Sequence, residues 1–170
     1  TLLLEDYELL KDSAGYQYDV VSVRQQVLSN KAGEYHEKMV LALREKREED
    51  FKFYAKEFLA VMDEMESLTG TNAFYCLNRW VEQAQALAVH TDDFTERLYE
   101  WNARALVTTW GSYQQSETGR LHDYSNRQWS GLIGDFYKRR WEVWISDEIM
   151  ELQGKNCKEN RDWFAWEWNW

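Results

Sequence analysis

Apolar residues recur along this chain with a helical period. The clearest stripe is Phe51, Tyr54, Phe58, Met62 and Met65, spaced i, i+3, i+7, i+11 and i+14 and extended by Leu68. Such spacing keeps one side of a 3.6-residue helix apolar. Upstream, Leu2, Leu3, Leu4, Leu9 and Leu10 predict a first helix that frays at Ser13-Ala14-Gly15. A second is predicted from near Tyr18 to about Arg44, with Val20, Val23, Val27 and Leu28 inward and Tyr35 and Met39 on the same face. The charged run REKREED at 44–50 fits a solvated helix surface or a break between helices.

Downstream, Gly70 suits a helix stop and Asn72 a following N-cap. Leu77, Trp80, Val81, Ala84 and Leu87 form the next stripe. Thr91-Asp92-Asp93 then caps a helix whose inward positions are Phe94, Leu98, Trp101 and Ala105, ending at Trp110-Gly111. A loop over about 111–125 follows, and helix is predicted to resume near Ser125 or Asn126, running through Trp129, Leu132, Ile133, Phe136, Trp141, Trp144, Ile145 and Ile149. Gly131 and Gly134 fall inside it. Each costs about 1 kcal/mol against alanine, so another backbone or a ligand is expected to approach closely there. A turn at 153–156 leads to a last segment, NRDWFAWEWNW. There is no strand alternation and no internal repeat. The expected fold is all-α, an irregular bundle of about six antiparallel helices with one long loop.

Composition strengthens this reading. Average usage of roughly 5% would give about eight or nine prolines, and the chain has none, with only eight glycines. Few forced breaks favour long helices. At 170 residues the chain suits one domain with one core. A net charge of −10 argues against nucleic acid and against anionic membrane surfaces as partners. No apolar run approaches the roughly 18 residues of a membrane span. No signal-peptide pattern opens the chain, and TLLLEDYELL reads as the middle of a helix, so the expectation is a piece of something longer. Cys76 and Cys157 lack CxxC spacing and are expected to be two unpaired thiols, Cys76 buried; pairing stays open as the alternative.

Candidate chemistry narrows to one region. His36, His90 and His122 are scattered and no HExxH occurs, so no metal site is expected; capping already explains Asp92 and Asp93 beside His90. No serine sits in a nucleophile elbow, no glycine-rich phosphate loop exists, and no cofactor is implied. Most of the 30 acidic residues fall on solvated helix faces, as Glu57 and Glu64 do. Trp163, Phe164, Trp166, Trp168 and Trp170 cannot share one helical face, which predicts a second contact surface for that end, between domains or made by crystal packing. The stretch WGSYQQSETGRLHDYSNRQWSG, Trp110 to Gly131, differs from these. Aromatics with polar handles can stack on a sugar ring while hydrogen-bonding its hydroxyls. By chemistry alone, structural capping by Asp123 and Asn126 is the better reading.

The segment from Ala105 to Trp141 resembles the C-terminal region of the α-N-acetylglucosaminidase family of glycoside hydrolases, which carries a TLWG-type segment, a loop and LxDYANxQxxGLxxxYYxxRW. Matching positions are Trp110, Gly111, Leu121, Asp123, Tyr124, Asn126, Gln128, Gly131, Leu132, Tyr137, Arg140 and Trp141. Upstream, YQYDVVSVRQQVL at 16–28 resembles the family's FRYDLLDLTRQAV, and WVEQA at 80–84 its WLEQA. Ser125 departs from the pattern's alanine, and Trp129 is larger than in some relatives.

The resemblance implies a small N-terminal domain, a catalytic (β/α)₈ barrel and a C-terminal all-α domain. Residues 1–170 would be that last domain, a fragment of a larger multidomain glycosidase. Family enzymes are retaining exo-hydrolases releasing terminal α-linked N-acetylglucosamine, and both catalytic carboxyls belong to the barrel, so no catalytic residue carries over. The implied partners are the barrel of the same chain and a glycan ending in α-N-acetylglucosamine. Trp110, with Tyr124 and His122, would contact substrate, while Asp123 and Asn126 would hold the loop and helix start. The family suggests a secreted, periplasmic or lysosomal setting. The alternative is a stand-alone helical module that binds a protein partner through its tryptophan-rich end.

Overall fold

Thirty-one residues without a proline form the longest element, α3, Ala14–Arg44, against which α4, Glu48–Thr69, folds back. The computed structural model describes residues 2–88, 91–110, 125–155 and 162–170. Ser13 caps α3, its side chain accepting from the Tyr16 N–H, so this helix starts earlier than the valine pattern predicts. The break at 45–47 resolves the charged run: Lys46 takes φ 56° and the Arg47 N–H closes onto the Ala42 carbonyl at 2.9 Å. Glu48, Glu49 and Asp50 then occupy the first turn of α4, where carboxylates meet the positive end of the helix. Gly70 caps α4 and the Asn72 side chain accepts from the Phe74 N–H, capping a 3₁₀ turn, Ala73–Tyr75.

Helices α5, Leu77–Leu87, and α6, Asp93–Leu106, form a second hairpin. Trp80 Nε1 donates to the Ala103 carbonyl at 2.8 Å, and Gln85 to Glu100 at 2.9 Å. Helix α7, Arg139–Leu152, follows directly from a π turn, Ile133–Lys138, and α8 is Trp163–Trp168. The chain opens with two single turns, α1 (Leu2–Glu5) and α2 (Tyr7–Leu10). Eight α-helices among the described residues exceed the expected six because three are single or near-single turns. No strand occurs among the described residues; one parallel bridge joins Cys76 to Ser130.

Three apolar clusters fill the interior. Val21, Leu28, Val61, Met65 and Leu68 join Tyr75 and Ile133; Met39, Ala42, Phe51 and Ala55 meet Ile145; and Leu77, Val81 and Val107 surround Leu132 and Phe136. The α4 stripe is inward as expected. Other phases differ. Val23 and Val27 are exposed at 50% and 59%, because the inward face of α3 carries Val21, Gln25 and Leu28. Leu9, Leu87, Phe94 and Leu98 are exposed as well, while Ala103 and Val107 are the buried positions at the end of α6.

The aromatic tail finds its contacts inside the chain. Trp166 and Trp170 lie 6.0 and 5.0 Å from Phe136, and Trp168 lies 4.8 Å from Trp101. The second surface that the pattern demands for these rings is supplied largely by α6 and the π turn.

Candidate functional site

Residues 126–130 are not helical, and helix begins at Leu132. The predicted start near Ser125 or Asn126 is therefore six or seven residues early, and Asn126 caps no helix. The segment is held by pairing. Ser130 donates its N–H to the Tyr75 carbonyl at 2.8 Å and accepts from the Leu77 N–H at 2.9 Å. Gln25, buried on α3, donates to the Gln128 carbonyl at 2.7 Å, and Gln128 Nε2 donates to Ser29 at 2.9 Å. These bonds satisfy backbone groups that would otherwise compete for helix.

Glu66 of α4 fastens the end of the segment. Its Oε1 accepts from the Ser130 hydroxyl at 2.6 Å and the Gly131 N–H at 2.7 Å, and its Oε2 accepts from the Gly134 N–H at 2.8 Å. A carboxylate here serves the orphan N–H groups of the new helix. Both glycines have their cause. Gly131 has φ +92°, and a Cβ there would meet the Leu77 Cβ at 3.2 Å; a Cβ on Gly134 would meet Glu66 Cγ and Cδ at 3.1 Å. The close approach is by protein side chains.

Beside this segment lies a cavity of about 300 Å³, lined by Ser29 and Ala32 of α3, Phe58, Met62 and Met65 of α4, and by Asn126, Gln128, Tyr137, Arg140 and Trp141. The π turn carries Tyr137, and its extra residue shifts the register between Gly134 and Arg140. Such turns are frequent at functional sites. Among the described residues no carboxyl group lines this cavity. Trp110 stands elsewhere, just past the end of α6. It is half-buried, has φ +60°, and sends its N–H to the Ala105 carbonyl at 2.7 Å. A left-handed backbone costs a residue with a Cβ about 1–2 kcal/mol, and glycine normally occupies such a helix end.

The family described as "Alpha-N-acetylglucosaminidase (NAGLU) C-terminal domain" matches residues 1–170. This chain belongs to that family. It is similar to the human protein named Alpha-N-acetylglucosaminidase, at 28% identity over 148 residues, covering 85% of this chain and 19% of that one. A family 89 glycoside hydrolase from Clostridium perfringens, solved in complex with 2-acetamido-1,2-dideoxynojirmycin, superposes with a TM-score of 0.93 at 42% identity, over 99% of this chain and 19% of that chain. A structure from the same organism, in complex with its substrate GlcNAc-α-1,4-galactose, gives a TM-score of 0.92 at 42% identity over 98% of this chain. The chain thus spans about a fifth of each relative it matches.

Within this α-N-acetylglucosaminidase C-terminal domain, the matched positions Asn126, Gln128, Tyr137, Arg140 and Trp141 converge on one cavity. Trp110 does not line it. His122, Asp123 and Tyr124 lie outside the described residues, as do His90 and Cys157. Asp92 is the N-cap it was expected to be, accepting from the Phe94 and Thr95 N–H groups at 3.0 Å. Cys76 is half-buried rather than buried; burial pushes its thiol up from the ordinary value, and the Glu66 carboxylate adds to the shift.

Sequence reasoning missed Glu66, Gln25 and Ser29. The signal for Glu66 was present in Gly131 and Gly134, which demand a close neighbour but do not name it. Gln25 and Ser29 left none, since polar residues on a long helix are ordinarily solvated.

Proposed function

We propose that this chain is the helical C-terminal part of a retaining α-N-acetylglucosaminidase, packing on a catalytic (β/α)₈ barrel of the same protein and closing one wall of its sugar pocket. Residues 1–170 form a single domain of that enzyme in this reading. Trp110, with Tyr124 and His122, contacts the terminal α-N-acetylglucosamine, while Asp123 and Asn126 position the loop. The family membership and the substrate complex of the Clostridium relative support the activity. The observation that carries the role of Trp110 is its backbone: a half-buried tryptophan is kept at φ +60°, where glycine would be unstrained. Strain retained at a bulky residue points to a function for its side chain. Among the described residues the cavity of Asn126 and Gln128 has no carboxyl, which supports a part in holding the segment. The stand-alone module reading weakens because the tryptophan-rich end is engaged by Phe136 and Trp101 of the same chain.

The test is Trp110→Ala in the full-length enzyme with an aryl α-N-acetylglucosaminide. Loss of an aromatic contact worth about 0.5–1.5 kcal/mol raises KM roughly 2- to 10-fold. Unchanged KM and kcat would remove Trp110 from the pocket wall.

A further inference from the structure

A second cavity, of about 440 Å³, opens between α3, α7 and α8. Its size lies within the ~300–1,000 Å³ range of small-molecule sites. Trp144 and Trp163 are half-buried and present aromatic surface to it from two helices, while His36 and Val40 line it from α3.

The polar groups on its wall narrow the occupant. Arg140 donates to Glu167 at 2.6 Å, and Glu167 is 6% exposed. Glu167 is withdrawn from water, while the Arg140 side chain keeps 24% of its surface exposed. The pair is neutral as a unit, which disfavours a free anion or a quaternary cation as ligand. The His36 ring sits edge-on to Trp141 at 5.5 Å and makes no hydrogen bond among the described residues. An acyl chain would offer the His36 ring and the edge of the Arg140–Glu167 pair nothing to hydrogen-bond. A ring with an apolar C–H face and a rim of hydroxyls uses both the indoles and the polar edge.

We propose that this cavity binds a neutral pyranose, stacked on Trp144 and Trp163 and hydrogen-bonded at its rim by Arg140, Glu167 and His36. The proposal stands whether or not Trp110 contacts substrate, since it shares no residue with that contact.

A diazirine analogue of N-acetylglucosamine, photolysed with the full-length protein, tests it by mass spectrometry. Peptides carrying Trp144 or Trp163 are labelled, and excess unmodified sugar suppresses the labelling while indole does not. Val40→Phe, which fills the space, and Trp163→Ala, which removes one platform, each reduce it about tenfold. The wild-type result decides by itself. No labelling of either peptide, labelling that sugar fails to suppress, or suppression by indole instead overturns the proposal. A KM changed by Trp110→Ala with no labelling here sinks this inference and leaves the pocket-wall reading intact; the converse does the opposite.

Discussion

Gly134 concentrates the residue-scale argument. Helix propensity alone favours alanine there by about 1 kcal/mol. The new Cβ, however, would sit 3.1 Å from Glu66 Cγ and Cδ. Glu66 is not free to withdraw, since Ser130, Gly131 and Gly134 all donate to it within 2.8 Å. Hydrogen bonds to a charged acceptor contribute about 1.5–3 kcal/mol each, more than the propensity gain. Gly134→Ala therefore destabilises, by about 1–2 kcal/mol net, and Glu66→Ala in the same background removes most of that penalty. Chemical denaturation of the two single variants and the double variant measures it; additive losses would show that Glu66 is not what Gly134 accommodates. The glycines thus made a contact legible in the sequence without its partner. Glu66 is one of 30 acidic residues, and nothing local separates it from those on solvated faces. Its role is set by a segment 64 to 68 positions away.

At the scale of elements, caps read well and faces read less well. Asn72 and Asp92 accept backbone N–H groups at the turn and helix starts expected of them, because capping depends on a few neighbouring residues, whereas Ser13, read as a fraying end, caps α3. The Asp92 carboxyl is held below its ordinary range by the Thr95 N–H first, then by the Thr95 hydroxyl, with the Phe94 N–H contributing. A lowered folded value means stabilisation that is complete above the unfolded value, near 3.9, and lost as pH falls through the folded one. Asp92→Asn keeps the acceptor and removes the charge. The variant should melt below the wild type at pH 7, with the gap closing in acid. A gap independent of pH would assign the effect to geometry. Helix faces depend on distant partners instead. Gln25 is buried on α3 because the Gln128 carbonyl meets it, so the valine pattern gave a rotated phase. The late start of the last long helix has the same origin. Residues 126–130 read as helical by period, and their pairing with Tyr75, Leu77 and Glu66 draws them out of it.

At the scale of the whole molecule, the proposed function leaves these 170 residues without catalytic chemistry of their own. Retaining hydrolysis needs two carboxyl groups about 5–5.5 Å apart, one to attack and one to move the proton. Among the described residues the cavity of Asn126, Gln128 and Arg140 has none, and that of Trp144 and Trp163 has Glu167, paired with Arg140. Neither offers a carboxyl pair among the described residues, in keeping with the proposed placement of the chemistry on a barrel. Residues 1–170 alone should therefore fold to a helical species yet hydrolyse an aryl α-N-acetylglucosaminide no faster than buffer. Circular dichroism establishes the helices, so that silence is not mistaken for unfolding. Turnover above the blank from the folded fragment would place a carboxyl pair in this chain and overturn the division of labour proposed for it. Turnover only when a catalytic barrel is joined to it would locate the carboxyl pair there and leave this chain the pocket wall that carries Trp110.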